Sequence, residues 1–221
     1  VYRSMHVDIH DAVISHLKAA VERYKPGIPT EPETTMGAIV SRTQFDRIMD
    51  FIESAMSEGA RAVTGGHAVT EGALAQGSFI APTIFADVTP QMRIAREEIF
   101  GPVLAVRKWS DEDSMLNEVN ALELGLTCAI WTRDLVTAHR TAARVEAGFV
   151  WVNEVGRHFL GAPFGGVKQS GIGREEGIGE LISFTHEKNV HIFFLLLYCK
   201  LRSVTGRGPV HQKLFPKLFF H

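Results

Sequence analysis

The chain has 221 residues, which is enough for one or two domains with a sizeable buried core. With 45% apolar residues, 22% charged residues and a formal net charge of −2, its composition is typical of a globular protein and gives no support to nucleic-acid binding. Cys128 and Cys199 have neither metal-ligand spacing nor a disulfide framework, which favours a reducing, cytoplasmic location, with a mitochondrion or other organelle as the alternative. Because the sequence does not begin with methionine and shows no signal-peptide pattern, we expect it to be part of a longer protein.

Two helices are predicted near the start of the chain. Residues 8–24 have apolar residues at helical spacing, with Asp8 as the N-cap and a Pro-Gly pair as the stop. A second helix is predicted to begin after Ser41, with Gln44 at the capping-box position, and to end at Gly59. Its apolar residues form one continuous stripe, so we expect this face to pack against a core.

The strand pattern predicts an α/β protein. Residues 60–64 predict a short strand, and residues 79–88, interrupted by Pro82, predict a strand at the edge of a sheet. From 103 to 153 the order is strand, helix, strand, helix, strand, which implies a parallel sheet with right-handed crossovers. Within it, the apolar run 126–131 predicts a strand that is buried on both faces.

The stretch Ala162–Glu176 contains four glycines and little that a core could bury. It follows a predicted buried strand and precedes a predicted helix at 174–184, an arrangement in which α/β proteins place their functional residues. A last strand is predicted from Lys188. We predict no metal site, because His6 and His10 are spaced for one helix face but have no recognisable third ligand.

The run Glu97–Pro102 has two readings. A carboxylate at the entry to a strand can bind a ribose hydroxyl while the phenyl ring of Phe100 lies beside a flat cofactor. Alternatively the run is a charged surface turn with Phe100 packed into the core, and spacing alone favours this second reading.

Two runs, in this order along the chain, resemble motifs of the aldehyde dehydrogenase superfamily. They are Glu97–Pro102 (EEIFGP) and Pro163–Glu175 (PFGGVKQSGIGRE), with Asn153 between them. The resemblance covers about residues 1–192, and its motifs are long and ordered. It implies an α/β fold with the parallel-sheet catalytic domain of an aldehyde dehydrogenase, incomplete here, followed by a C-terminal oligomerisation strand.

The resemblance also implies NAD or NADP as cofactor. Glu98 matches the glutamate that holds the nicotinamide ribose, and Phe100 matches the aromatic residue beside the nicotinamide. The domain that binds most of the dinucleotide in this family has no counterpart in this chain, so these two residues are the cofactor contacts that the sequence predicts.

On the side of the aldehyde substrate, the resemblance implies three binding residues and one supporting carboxylate. Asn153 matches an asparagine at the base of the substrate loop, and Phe164 matches an aromatic wall of the aldehyde tunnel. The segment 154–160, including Phe159, is expected at the tunnel mouth. Glu175 matches a carboxylate that supports proton movement behind the catalytic base.

In this family a cysteine thiolate attacks the aldehyde, hydride passes to the nicotinamide, and a glutamate-activated water releases the acid. The nucleophilic cysteine and the general base lie upstream of the part that this chain resembles. We therefore expect an oxidoreductase by family that is inactive as this chain alone. The expected organisation is 1–187 as catalytic-domain part, 188–193 as a strand that joins a neighbouring subunit of a homo-oligomer, and 194–221 as an atypical apolar and basic tail.

Three alternatives stay open from the sequence. The chain is a non-catalytic relative that assembles with full-length subunits through 188–193, or a protein that binds a membrane surface through its apolar and basic tail. The apolar run of that tail is too short to span a bilayer, which disfavours a membrane partner. Trp131 and Trp151 are either aromatic residues that bind a quaternary ammonium substrate or, as their apolar strands favour, core residues.

Overall fold

Helices and strands alternate along most of the chain in the computed structural model, which describes residues 2–192. The helices are α1 (Val7–Val21), α2 (Arg42–Ser57), α3 (Arg93–Arg96), α4 (Glu112–Asn120), α5 (Leu135–Arg144) and α6 (Ile178–Ser183). The strands are β1 (Tyr2–His6), β2 (Arg61–Thr64), β3 (Thr83–Ala86), β4 (Val103–Trp109), β5 (Leu124–Gly125), β6 (Thr127–Ile130), β7 (Phe149–Val152) and β8 (Val167–Lys168). A short 3-10 helix occupies Gly72–Gln76.

The four-stranded sheet has the order β1-β4-β3-β2. Strand β4 runs parallel to both of its neighbours, whereas β2 is antiparallel to β3. The predicted edge position of 79–88 is wrong, because β3 lies inside the sheet and all four of its residues are buried. Pro82 precedes the first residue of β3, so its missing N–H does not interrupt the ladder.

Helices cover both faces of this sheet. Because successive side chains of a strand point to opposite faces, Phe85 belongs to the core under α2 and Ile84 to the core under α1. The stripe predicted for α2 is confirmed at Phe45, Ile48, Ile52 and Ala55, which are buried, whereas Met49 is half-buried and Met56 is exposed. The predicted N-cap is also confirmed, since Ser41 Oγ accepts the hydrogen bond of Gln44 N. The N-cap predicted for α1 is wrong: the residue is His6 rather than Asp8, and the helix ends at Val21.

The second parallel unit consists of β6 and β7 joined by α5. The single parallel sheet predicted over 103–153 is therefore wrong for the described residues, in which β4 belongs to one sheet and β6 to another. The strand predicted at 126–131 is not buried on both faces, because Thr127 is exposed and the other three residues of β6 are only half-buried. Trp131, expected in the core, is 64% exposed. Trp151 is 7% exposed and confirms the core reading for that residue.

The helix predicted at 174–184 begins at Ile178 instead. Phe164 and Glu175 pair as an isolated antiparallel bridge, which keeps residue 175 extended, and Glu176 has a positive φ of 62°. Long-range pairing thus delays the helix that the local composition favours.

The chain divides into two units, residues 1–184 and 185–221. The described part of the second unit, residues 185–192, is exposed and forms neither a helix nor a strand. The predicted pairing of 188–193 with a strand of another subunit stays a prediction. The predicted tail, 194–221, lies outside the described residues. Across 2–192, none of the helices combines the length and the apolar character that crossing a bilayer requires.

Candidate active site

The turn between α3 and β4 presents the two predicted cofactor residues. Ile99 is 3% exposed and anchors the turn in the core. Gln44 Nε2 donates to the carbonyl oxygens of Ile99 at 2.9 Å and Phe100 at 3.1 Å, and Arg47 Nη2 donates to the carbonyl oxygen of Glu98 at 3.1 Å. Two side chains of α2 therefore fix the main chain of this turn.

Phe100 points away from the core, since it is 72% exposed. The reading that places it in the core is wrong. Its φ of 53° is rare for an aromatic residue, and such backbone strain is found mainly where function requires it. With the exposed Glu98 it lines a cleft of about 230 Å³, whose other lining residues are Arg47, Arg96, Glu97, Glu123 and Leu124. An accessible carboxylate and an accessible ring in one cleft can bind a ribose hydroxyl and a flat heterocycle.

The glycine-rich stretch crosses close to the β6–β7 unit. A Cβ at Gly148 would overlap the carbonyl oxygen of Gly165, and a Cβ at Gly125 would approach the carbonyl oxygen of Glu146 within 2.5 Å. Only glycine allows main chains to approach this closely. The close approach of Gly148 and Gly165, here called the crossing, fixes this part of the stretch, the base of the wall, against the sheet. Side chains that neighbour the crossing, such as Phe164, can then be presented to a site.

Lys168 ties this stretch to the cofactor cleft. It has a φ of 56° and lies opposite Leu124 in the β5–β8 pair, and Leu124 lines the cleft. Its Nζ donates to the carbonyl oxygens of Asn120 and Leu122 and lies 2.7 Å from Glu146 Oε2. The two walls of the candidate site are thereby joined through one short antiparallel pair.

Four rings form a cluster that includes Phe164, one of the residues predicted to bind the aldehyde. The centroid of Phe149 lies 4.9 Å from that of Trp151 and 5.4 Å from that of Phe164, and His158 lies 4.6 Å from Phe164. These separations and tilts are those that aromatic pairs favour. Trp151 Nε1 donates to the carbonyl oxygen of Arg157 at 2.7 Å, which folds the segment 154–160 back over the cluster.

Phe164 is held from two sides. Its N–H and carbonyl oxygen both bond to Glu175, at 2.9 and 2.7 Å. Its ring contacts His158, whose Nδ1 lies 2.7 Å from Glu176 Oε1. Glu175 thus supports Phe164 through its main chain, and its side chain belongs to an exposed residue. The proton-transfer role expected of Glu175 stays a prediction.

The other two predicted substrate residues lie near this cluster in sequence and have contacts of their own. The carboxamide of Asn153 bonds to both the N–H and the carbonyl of Thr132, each at 2.9 Å, and Asn153 has a φ of 57°. It ties the end of β7 to the end of β6, so its described contacts hold the loop. Phe159 is 48% exposed, and the guanidinium of Arg157 lies 5.2 Å from its ring centroid.

Sequence reasoning missed four residues that organise the site. The sequence predicts Gln44 as part of a helix cap, and it predicts no individual role for Lys168, His158 or Glu176. A position in the tunnel-mouth segment was the signal for His158. The other contacts join residues far apart in the chain, and no local pattern marks them.

Cys128 lies in β6, away from this wall in sequence and half-buried. Burial raises the pKa of its thiol, with Arg3 as a smaller opposing influence. Because the thiolate is the nucleophilic form, this setting does not suit a nucleophile. Across residues 2–192, no group of three or more histidine, cysteine or acidic side chains is arranged to hold a metal ion.

A model of the aldehyde dehydrogenase family matches residues 4–190. The chain belongs to the aldehyde dehydrogenase family. It is 51% identical over 192 residues to the aldehyde dehydrogenase tropH of Talaromyces stipitatus, an alignment that covers 85% of this chain and 37% of that relative.

Solved structures confirm the α/β fold. The NAD+ complex of an aldehyde dehydrogenase from Bacillus cereus matches with a TM-score of 0.74 and 38% identity, over 80% of this chain and 35% of that one. The NAD+ complex of betaine aldehyde dehydrogenase from Staphylococcus aureus matches with a TM-score of 0.75 and 33% identity, over 81% and 36%. The chain therefore spans little more than a third of the length of these relatives, and it corresponds to part of a domain.

Proposed function

We propose that this chain forms the nicotinamide-facing and aldehyde-facing walls of an NAD(P)-dependent dehydrogenase that oxidises an aldehyde to a carboxylic acid. The observation that carries the proposal is the cleft shared by Glu98 and Phe100, joined through the β5–β8 pair to the stretch that carries Phe164. The relatives from Bacillus cereus and Staphylococcus aureus were solved with NAD+, which supports the choice of cofactor.

The residues fit part of such a cofactor. Glu98 can accept hydrogen bonds from the ribose hydroxyls that neighbour the nicotinamide, and the exposed Phe100 ring can lie against the nicotinamide plane. The bound dinucleotide would supply the acceptor for the hydride that leaves the aldehyde. The chain's own residues would orient that acceptor and exclude water from one side of it.

On the aldehyde side, Phe164 and Phe159 would contact the body of the substrate, Asn153 would hold the substrate loop, and Glu175 would support proton movement from behind. Phe164 is half-buried within a cluster of rings, so it offers an apolar wall rather than a hydrogen-bonding group. The aldehyde carbon would then be held by shape, while the chemistry is left to groups that this chain does not contain.

Purified chain is expected to produce no NADH or NADPH from aldehydes. Of its two thiols, Cys128 is kept protonated by burial, and Cys199 belongs to the tail that does not resemble the family. The test mixes the chain with NAD or NADP and a panel of aldehydes and follows the absorbance of the reduced cofactor. Aldehyde-dependent formation of NADH or NADPH by the purified chain would contradict the expected inactivity, and replacing each cysteine by serine would then show whether Cys128 or Cys199 is responsible.

A second candidate function is a non-catalytic subunit that assembles with intact dehydrogenase subunits in the cytoplasm. The observation that favours it is the exposure of 188–192, in which Val190 and Ile192 alternate with polar residues and are 65% and 68% exposed. Such alternation suits a strand added to the sheet of another subunit. The test is co-purification with a full-length relative, compared with a chain that lacks 188–193; equal recovery of both would exclude this route of assembly.

A further inference from the structure

We propose that His158 and Glu176 form a positioning pair that fixes the ring of Phe164 and so sets the shape of the aldehyde-facing wall. This proposal rests on the proposed function for its substrate class, an aldehyde with a flat aromatic body. The His158–Glu176 pair itself consists of contacts within this chain, so it can be tested whether or not the proposed function is correct.

The first support is the chain of contacts. His158 Nδ1 lies 2.7 Å from Glu176 Oε1, and because an ionised carboxylate only accepts, Nδ1 carries the hydrogen and donates it. The imidazole then lies 4.6 Å from the ring of Phe164, at an angle of 45°. It is also stacked near Phe149 at 6.2 Å and tilted against Trp151 at 6.1 Å. His158 therefore contacts every other ring of the cluster, and its orientation is fixed by one carboxylate.

The second support is the backbone of Glu176. A φ of 62° is a conformation in which glycine is favoured and a residue with a Cβ is strained. The position is nonetheless occupied by glutamate, whose N–H, carbonyl oxygen and Oε1 each form a hydrogen bond. Its N–H donates to Glu180 Oε2, its carbonyl oxygen accepts from Gly161 N, and its Oε1 accepts from His158, each at 2.7 Å.

The third support is an unsatisfied atom. Glu176 Oε2 is buried and has no hydrogen-bond partner among the described residues. A turn residue with no other role has no reason to bury half of a carboxylate without a partner. The strain and the buried oxygen are both explained if the carboxylate is required to hold His158.

The adjacent glutamates therefore divide the work on Phe164. Glu175 fixes its main chain through two hydrogen bonds, and Glu176 fixes its ring through His158. With the ring fixed, the cluster offers an aromatic wall against which an aryl aldehyde can pack its ring in the tilted arrangement that aromatic pairs favour, and a flexible aliphatic aldehyde has no ring to place there. With the ring free to rotate, this preference is lost.

The test compares variants that keep the hydrogen bond with variants that remove it. E176Q keeps an acceptor, whereas E176M has a similar length and no strong acceptor. H158N keeps a donor near the position of Nδ1, whereas H158F keeps the ring without a donor. E176G relieves the backbone strain and removes the carboxylate, so a mere turn residue would tolerate it best of all.

Two readouts are measured on the full 221-residue chain. The first is the set of NMR contacts between the rings of Phe164 and Phe149. The second is the ratio of dissociation constants for hexanal and benzaldehyde. We expect E176M, E176G and H158F to lose the ring contacts and to reduce that ratio about fivefold, the effect of one hydrogen bond, while E176Q and H158N keep both.

Retained ring contacts in E176M and E176G would overturn the positioning pair, and so would equal losses in E176Q and E176M. General destabilisation of the fold would weaken the binding of both aldehydes equally and leave the ratio of their dissociation constants unchanged. An unchanged ratio in the variants that lack the hydrogen bond therefore also counts against the proposal. A wild-type chain whose Phe164 contacts depend on Glu176 but which binds neither aldehyde would support the pair and overturn the assignment of this wall to aldehydes.

Discussion

The two walls of the candidate site are held in different ways. The turn that carries Glu98 and Phe100 is anchored on the core through Ile99 and is bonded by Gln44, which belongs to the best-buried helix of the described chain. The segment 154–160 is mostly exposed and is held by isolated hydrogen bonds, among them the bond from Trp151 Nε1 to the carbonyl oxygen of Arg157 and the bond between His158 and Glu176. We infer that the proposed cofactor wall is rigid and that the rim of the proposed aldehyde wall, residues 154–160, is adjustable, because elements with few buried contacts open most easily.

The aldehyde side nevertheless has a rigid base. The close approach of Gly148 and Gly165 places main chain against main chain, where nothing can rotate out of the way. The contrast therefore lies within the aldehyde wall as well: its base is as firmly placed as the cofactor turn, and its rim is not.

Replacing Gly148 by alanine should have the largest effect on stability. The added Cβ would overlap the carbonyl group of Gly165, which is main chain and cannot move without displacing the whole crossing. We expect the free energy of unfolding to fall by about 3 kcal/mol, the upper part of the range for overpacked positions. Chemical denaturation measures it.

The matched control is Gly173→Ala, in the same stretch. An added Cβ there has no atom within 4 Å, so the variant should have nearly wild-type stability. If both variants unfold at the same denaturant concentration, the crossing is not rigid and the base of the aldehyde wall is no firmer than its rim.

Gln44→Glu should be the next most damaging change, on the cofactor wall. It keeps the shape of the side chain but replaces the donating NH2 by an acceptor that faces the carbonyl oxygens of Ile99 and Phe100. We expect the free energy of unfolding to fall by about 2 kcal/mol. Two hydrogen bonds are lost, and the new carboxylate repels the carbonyl oxygens that the amide bonded to. Denaturation curves, with Glu53→Gln on the exposed side of α2 as control, measure the loss.

The same variant tests what the anchor does for the site. If Gln44 holds the turn, a probe of Phe100 such as a 19F-labelled ring should show new mobility in Gln44→Glu and none in Glu53→Gln. An unaltered Phe100 signal in a destabilised Gln44→Glu chain would mean that Ile99 alone fixes the turn.

The sequence predicted much of the framework and little of the site's support. The pattern of α2 was predictable because its apolar stripe lies within the helix and its N-cap and terminal glycine lie directly beside the helix ends. The place of β3 inside the sheet was not, since strand order depends on partners that come later in the chain. The composition of Ala162–Glu176 correctly excluded core packing, but the pairing of Phe164 with Glu175, which delays the helix, has no local signal.

The site residues came from a resemblance rather than from spacing. On spacing alone Phe100 was assigned to the core, and the structure shows it exposed. The resemblance supplied the residues that are predicted to face the site, whereas Gln44 and Lys168, which hold the surrounding main chain, bond to main-chain groups far away in the chain. Hydrogen bonds to main-chain carbonyls can be made by many side chains at many positions, which is why no motif marks them.

Lys168→Met should cause a smaller loss, of about 1 kcal/mol, at the junction between the two walls. Methionine keeps the length of the side chain but donates no hydrogen bond to the carbonyl oxygens of Asn120 and Leu122. The control is Lys25→Met, because the exposed ion pair of Lys25 with Glu33 should contribute almost nothing. Hydrogen exchange should accelerate in β5 and β8 of Lys168→Met; exchange that stays at the wild-type rate there would show that the junction does not depend on this lysine.

The smallest effect is expected at Cys128, where the measured property is the rate at which the thiol is alkylated at different pH values. Burial raises the pKa of its thiol, so the thiolate should form at a more alkaline pH than in the unfolded chain, and alkylation by iodoacetamide near neutral pH should be slow. Since the folded chain holds this proton more tightly, the resulting contribution to stability is complete below the thiol's unfolded pKa and is lost as the pH rises through its folded value. The measurement uses Cys199→Ser, so that a single thiol reacts, and the same chain in denaturant as the reference. Alkylation that is faster in the folded chain than in denaturant would instead identify Cys128 as an activated thiol, and the view that this chain supplies walls without a nucleophile would have to be abandoned.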